Sequence, residues 1–585
     1  MARPKFAIPS RARVPSLYMR LRPLLDKGLA LQHANDLDGA EQLYREILAK
    51  DPNHAEALQL LGLIYNARGI DNTAEELITR AIELLPIAQF YANRAVARVG
   101  LKKYDEALAD CEKALALDPN CSDAVNNKAL VLARLQRFEE AVDYSREYLK
   151  LRPDYDRAWF NLAVSLQEYG RHEESLEYYE GALRLNPNKV TCYVNMANAH
   201  KEMSNWAEAQ RLLTIAEGID PTFAETYNIR AAVLKEIGKP NASLAYFTRA
   251  QELDSKKHMV YEYNKGLSQL LAGIMPHGWA SFEHRFTILN KPKVFENYRS
   301  WQGFSEPLDG KILVVVREQG VGDFIQFCRY IAMIKQRYPT CYIKVHCDKG
   351  MEELTANIPG VDEVLKTDTE VQLSWDYWIN VMSLPWVFTT SMDTIPNQVP
   401  YLFPKAEHVA AWAEHMPQDK IRVGLVWSGG FRADMPNLWT VNGRRNCDWS
   451  LFEDMVLKVR EQRDDIEFYS LQKGDPYESD FRARLTEVDL PVINLVNDVK
   501  SWEDTASMVS NLDLIIAVDT STAHLAGALG KPVWLLNRLD TCWRWFLRRT
   551  DSPWYPTMRI FRQIRPKDWR PVVDEITKNL LDFKK

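Results

Sequence analysis

Pro52, Pro86, Pro119, Pro153, Pro187 and Pro221 follow one another at intervals of 34, 33, 34, 34 and 34 residues. A chain that repeats itself at one such period builds one small unit many times over. Small residues keep the same beat: Gly28, Gly62, Ala95, Ala129, Ala163, Ala197 and Ala231 form one series. Ala40, Ala74, Ala107, Ala141, Ser175, Ala209 and Ser243 form a second. Two series per period predict two helices per unit, crossing where a larger side chain would hold the backbones apart. The proline follows the second helix and helps to stop it. One such unit cannot bury its own apolar face, so the units must stack, and stacking leaves a concave surface.

The pattern resembles the tetratricopeptide repeat over about residues 23–257, with some seven units. A degenerate unit (Tyr261 to Phe286) is expected to cap the array within a connecting stretch, 258–300. Asn93, Asn127, Asn161 and Asn195 recur at intervals of 34, two positions before the small residue of the first helix. A carboxamide both donates and accepts, so a line of them can hold a peptide backbone whatever its side chains. Protein O-linked N-acetylglucosamine transferases carry an asparagine ladder of this kind. Asparagine is also common here in ordinary tetratricopeptide repeats, so structural and acceptor-gripping roles both stand. Repeats of this type often mediate self-association.

With 585 residues the chain is too long for one core. A net charge of -6 argues against nucleic acid as partner, because that role needs a basic excess. The eight cysteines have no CxxC spacing, which fits a reducing compartment. Cys341, His346 and Cys347 sit together in an apolar run that reads as a buried strand. A zinc site needs about four ligands, so no metal is expected. No apolar run of about 18 residues exists to span a membrane. The basic, proline-dotted stretch 1–22 lacks the apolar segment of a secretory signal and reads as a disordered tail. The expected location is cytoplasmic.

From about residue 311 the period changes. Apolar runs rich in Val and Ile alternate with helix-length segments: Lys311–Val316, Cys341–Cys347, Tyr377–Val381, Val423–Trp427, Glu467–Leu471, Val492–Leu495, Leu514–Val518 and Val533–Leu536. Strands apolar on both faces predict parallel sheets covered by helices. Prolines 396, 400 and 404 split the series into two Rossmann-like halves, 301–412 and 413–585. Ligands of such sheets bind at the carboxyl ends of the strands.

Four loops at those ends stand out. Glu318-Gln-Gly-Val-Gly-Asp323 offers Gly320 and Gly322 for close backbone approach, with Asp323 near the next helix start. That place also suits a plain helix-start carboxylate. Trp427-Ser428-Gly429-Gly430 ends the next candidate strand, followed by Arg444 and Arg445, whose planar forks suit phosphate. Lys473 follows the strand Glu467–Leu471. Asp519-Thr520-Ser521-Thr522 precedes a helix carrying His524, and hydroxyls at a helix start make an anion site.

The run Asp519-Thr520 with His524-Leu525-Ala526, together with the Gly322-Asp323 turn, resembles the heptosyltransferase-like glycosyltransferases of family nine over about 310–565. The glycine that often follows the Asp-Thr pair is Ser521 here, which leaves the diphosphate contacts open. The resemblance implies a GT-B fold of two Rossmann-like domains and the reaction of a metal-independent, inverting glycosyltransferase. It makes Asp323 the base, with 301–412 on the acceptor side and 413–585 holding the nucleotide-sugar donor. Gly320, Gly322, Ser428, Gly429, Arg444, Arg445, Lys473, Asp519, Thr520, Ser521, Thr522 and His524 become donor-site candidates. No cofactor is expected. The whole architecture, an α-solenoid before an α/β module, is similar to O-linked N-acetylglucosamine transferases and to bacterial repeat-fused transferases, some of which modify flagellins. The implied acceptor is a protein Ser or Thr. A transferase of surface polysaccharide or lipopolysaccharide, and a non-catalytic repeat scaffold with a decayed module, remain alternatives. Trp427 and Trp534 are candidate stacking partners for the base, and closure of the two halves over the donor is expected.

Overall fold

A computed structural model describes residues 16–288, 299–365, 375–431, 436 and 439–584. Most of the tail expected over 1–22, and residues 289–298 of the connecting stretch, lie outside the described residues. The chain falls into two compact units, Met1–Cys192 and Tyr193–Lys585.

Paired helices follow the sequence period. The second helices end at Lys50, Leu84, Leu117, Leu151, Leu185 and Ile219, each two residues before one of the six prolines. Ala40, Ala74, Ala107, Ala209, Ser175 and Ser243 are all fully buried. At Gly62 a β-carbon would lie 2.6 Å from Ile78 Cγ1 of the partner helix, so the small residue is a steric need. Between the helices of each pair one residue takes a left-handed backbone: Asn35, Gly69, Lys102, Gln136, Gly170, Ser204, Gly238 and Gly273. Half of these are not glycine, so the turn leaves no glycine period in the sequence. The array opens earlier than residue 23, in helix Ser16–His33, because Leu21 and Leu25 pack with Tyr44. It closes on a further pair, His258–Leu271 and Met275–Phe282, which is the degenerate unit.

In the second unit this last pair is built into the core of the sheet-bearing part. Trp279 is buried; its Nε1–H donates to the Thr390 carbonyl at 3.1 Å. Its ring meets Phe327 and Trp543 edge-on at 6.0 and 5.2 Å. Arg285, fully buried, is paired with Glu318 and donates to Ser383.

Among the described residues that part has ten strands: β1 Ile312–Val316, β2 Tyr342–His346, β3 Glu363–Leu365, β4 Tyr377–Asn380, β5 Ile421–Val426, β6 Ile466–Ser470, β7 Val492–Asn494, β8 Leu514–Val518, β9 Val533–Asn537 and β10 Met558–Arg562. They form two parallel sheets, ordered β3-β2-β1-β4 and β10-β9-β8-β5-β6-β7. Register places Val314 between Lys344 and Trp378, and Gly424 between Tyr469 and Ile515. The central strands β5, β8 and β9 are buried along their whole length, as unbroken apolar runs require. β3 and β10 are additions to the sequence reading. Both are sheet edges; β3 has three residues, and the alternation Met-Arg-Ile-Phe-Arg of β10 hides it among polar residues. Among the described residues no helix is long and apolar enough to cross a membrane.

Candidate functional site

Strand order decides where the site lies. In the six-stranded sheet the order of strands reverses between β5 and β8, and in the four-stranded sheet β1 lies between β2 and β4. A crevice opens where two neighbouring strands send their connections to opposite sides. The loops leaving β1, β5 and β8 carry Gly320–Asp323, Ser428–Gly430 and Asp519–Thr522, and all three line one cleft.

The cleft has two chambers, of about 330 and 470 Å³, joined at Gly429, Gly430, Thr520 and Ser521. The smaller is lined by Ser428, Thr522 and three lysines, Lys349, Lys473 and Lys500, above apolar side chains such as Leu471 and Met508. Among the described residues its lining holds no carboxylate. The larger contains Gly320, Gly322, Asp323, Asp519, His524 and three arginines, Arg445, Arg538 and Arg544.

Each position has a local cause. Gln319 takes a positive φ of 58°, turning the chain from β1 into helix Val321–Phe327. Asp323 Oδ2 accepts the Gly320 N–H at 2.8 Å, so it does serve as the helix-start carboxylate. Its other oxygen, Oδ1, is ion-paired with Arg544. A β-carbon on Gly322 would lie 3.1 Å from the His524 ring and 3.3 Å from Ser521 Cα. The two sheet modules are thus already in contact here. Ser428 and Gly429 donate their N–H groups to Gln472 and Asn446 at 3.0 Å. A β-carbon on Gly429 would strike the Arg445 guanidinium at 2.2 Å; glycine is what lets that arginine reach the cleft. Thr520 caps helix Ser521–Ala528, its hydroxyl accepting from Ala523. Lys473 Nζ is bonded to the Val499 carbonyl.

His524 is buried between modules. Its Nδ1 lies 2.9 Å from Tyr555 Oη, its ring stacks on Trp545 at 5.1 Å, and Nε2 is 4.0 Å from Asp519. Burial pushes the imidazole down to about 3, outweighing the upward pull of Asp519. It is therefore a neutral group at physiological pH, not a cation for phosphate.

Two sequence expectations fail on geometry. Arg444 turns away from the cleft, donating to the carbonyls of Lys201 and Glu202 at 3.2 and 3.0 Å. It also sits among Glu202, Glu236 and Asp540. Adjacent residues on a helix point some 100° apart, so Arg445 reaches the cleft while Arg444 pins the late repeat helices. Trp427 and Trp534 are core residues. Trp427 packs on Trp449 and Phe481 at 4.5 and 4.9 Å, and Trp534 on Phe561 and Phe583. Both belong to the core under helices Trp449–Arg460 and Arg570–Leu581 and neither lines the cleft, so neither stacks on a ligand there. Sequence reasoning missed Lys349, Lys500, Arg538 and Arg544. The one visible signal was the aromatic run Cys-Trp-Arg-Trp-Phe at 542–546, dense for a polar loop.

Comparison with known proteins bears on the helical part. Residues 98–215 match the family described as Psidin, N-terminal TPR repeats region, and residues 25–89 the family Tetratricopeptide repeat. The repeats are of the tetratricopeptide type. Protein FlbA of Caulobacter vibrioides is 24% identical over 392 residues, 62% of this chain and 62% of FlbA; the chain thus spans less than two thirds of that relative. The small glutamine-rich tetratricopeptide repeat-containing protein 2 of Saccharomyces cerevisiae is 35% identical over 104 residues, 17% of this chain and 30% of that one. A tetratricopeptide repeat protein of Parabacteroides merdae, known from a crystal structure, is 20% identical. It covers 43% of this chain and 99% of its own, with a TM-score of 0.37.

The tetratricopeptide asparagines are partly committed to the repeats themselves. Asn93 and Asn127 are nearly buried. Asn127 Nδ2 donates to the Ala92 carbonyl of the preceding repeat at 3.0 Å, and Asn93 Oδ1 accepts from Gln89. Asn161 Nδ2 donates to Asn126 of the preceding repeat. Asn195, half-buried, lies in helix Val190–Glu202. The Asn127 and Asn161 carboxamides stitch neighbouring repeats, which leaves fewer donors facing outward than four free side chains would.

Proposed function

We propose that the chain is a GT-B-type glycosyltransferase that moves a sugar from a nucleotide sugar to a Ser or Thr hydroxyl of a protein held by its repeats. One observation supports the reading above the others: the three loops carrying Gly320–Asp323, Ser428–Gly430 and Asp519–Thr522 meet in one cleft at the carboxyl ends of two parallel sheets. The lysine-lined chamber is the place for the nucleotide, since three cations without a carboxylate favour phosphate. The chamber around Asp323 is the place for the sugar and acceptor.

The acceptor oxygen attacks the anomeric carbon from the side opposite the diphosphate, and its proton passes to Asp323. The bond from that carbon to the phosphate oxygen breaks, and the leaving diphosphate takes the electron pair. Lys473, Arg445 and the amides of the Thr520-capped helix face its charge. The configuration inverts, and no metal is required in this scheme. Protein acceptors fit tetratricopeptide repeats, whose stacked units offer an extended surface.

Thermal unfolding of the full chain with UDP, GDP, ADP, dTDP, CMP and their sugars tests the donor site. A ligand at about 100 times its dissociation constant stabilises by about 2.7 kcal/mol. One nucleotide should stand out, and its sugar conjugate should release nucleotide when acceptor is added. No shift with any of them would overturn the reading.

A further inference from the structure

Between β9 and β10 the chain makes a long excursion, from Arg538 to Thr557, off the six-stranded sheet and onto the four-stranded module. Trp543 stacks on Phe327 at 6.3 Å with 20° between the planes. Arg329 donates to the Trp554 carbonyl at 2.8 Å and to Tyr401 Oη at 2.7 Å. On its return the excursion gives Tyr555 to His524. These contacts fasten the two modules without bringing Arg329 or Phe327 into the larger chamber.

Arg544 differs from them. It is buried yet lines the chamber, and each arm of its fork is held. Nε donates to Gln326 Oε1 at 2.8 Å, Nη1 reaches Cys542 Sγ at 3.2 Å, and Nη2 binds Asp323 Oδ1. The guanidinium lies 4.2 Å from the centre of the Trp543 ring. Burial pushes it down, and the Asp323 carboxylate helps to push it up by more, so it stays charged. Asp323 is thereby gripped at both oxygens, by Gly320 N–H from its own loop and by an arginine 221 positions away. A carboxylate held at both ends cannot rotate about its last bond.

We propose that Arg544 is a positioning residue: it fixes the direction of the Asp323 carboxylate toward the acceptor, and it is delivered to the cleft by the β9–β10 excursion. The proposal rests on Asp323 acting as the base. A fork–carboxylate pair has defined geometry, and misplacing a reacting group by about 1 Å costs roughly 100-fold.

The test uses the full chain, the nucleotide sugar that stabilises wild type and a protein acceptor whose addition raises nucleotide release, reading that release. Arg544→Gln should lower kcat roughly 100-fold with donor KM and nucleotide-induced thermal shift unchanged. Arg544→Lys should fall between the two, and millimolar guanidinium should restore part of the kcat of Arg544→Gln. Unchanged kcat, or a loss confined to KM, would overturn the proposal. If Arg544→Gln does not fold, Arg544→Lys decides: wild-type kcat in a variant that still shifts with nucleotide overturns it. A wild type that releases no nucleotide defeats the transferase reading itself, and the positioning role with it. That failure appears in the wild type, whereas failure of the inference alone appears only in the variants.

Discussion

The tetratricopeptide repeats and the parallel-sheet part use the same chain in opposite ways. In the repeats the contacts that set helix crossings and join neighbouring units reach about one helix or one repeat away, as Gly62 meets Ile78 and Asn127 meets Ala92. In the sheet part the decisive contacts join distant positions: Asp323 with Arg544, Arg329 with Trp554, Trp279 with Thr390. Local contacts repeat whenever the sequence repeats, so period alone exposes them. Long-range contacts form once the topology has brought two strand ends together, and no spacing announces them.

That contrast can be broken at its strongest point by Asp323→Asn. Nucleotide release should fall by roughly 10²–10⁴-fold, the span of general-base catalysis, while the nucleotide thermal shift persists. Equal turnover would reduce Asp323 to its helix-start role and remove the functional meaning of the long-range pair.

Trp279→Ala probes the dependence of the sheet part on the last repeat pair. Removing a buried indole that touches Phe327 and Trp543 should cost about 3–5 kcal/mol, seen as an earlier urea transition of the second unit. A cost below about 1 kcal/mol would mean that the last pair is an appendage, and the second unit would then begin later than Tyr193.

His524 supplies a pH-dependent version of the comparison. Its folded pKa is depressed to about 3 from an ordinary 6.5. The unfolded chain therefore binds the proton first as pH falls below 6.5. The neutral histidine's contribution is intact above that value and is lost between pH 6.5 and about 3. Urea titrations at pH 7 and pH 5 should show wild type losing about 2 kcal/mol more than His524→Gln. Parallel losses in the two proteins would mean that His524 is solvated in solution.

The smallest effect belongs to the repeats. Asn127→Ala removes the hydrogen bond to the Ala92 carbonyl and the one accepted from Asn126 Nδ2, a cost of about 1 kcal/mol to the first unit. Lost acceptor binding with unchanged stability would instead make the asparagines a ligand-gripping ladder and draw function into the periodic region.

The sequence by itself determined the helix pairs, their close crossings and their proline stops, because each is a local steric fact repeated every 34 residues or so. It also determined the buried strands β5, β8 and β9, since a strand covered on both faces must be apolar throughout. It marked the loops at their ends through glycines and hydroxyls. The tertiary structure alone decided which cations reach the cleft. Arg444 and Arg445 look alike in sequence, yet helical geometry sends one to the repeats and the other past Gly429. It decided that Trp427 and Trp534 are core, because only the packing of helices Trp449–Arg460 and Arg570–Leu581 on that face of the sheet shows what covers the two indoles. And it decided that Asp323 has a partner, because Arg544 arrives on an excursion whose course depends on the packing of Trp543 and Trp554, not on any pattern within its own residues.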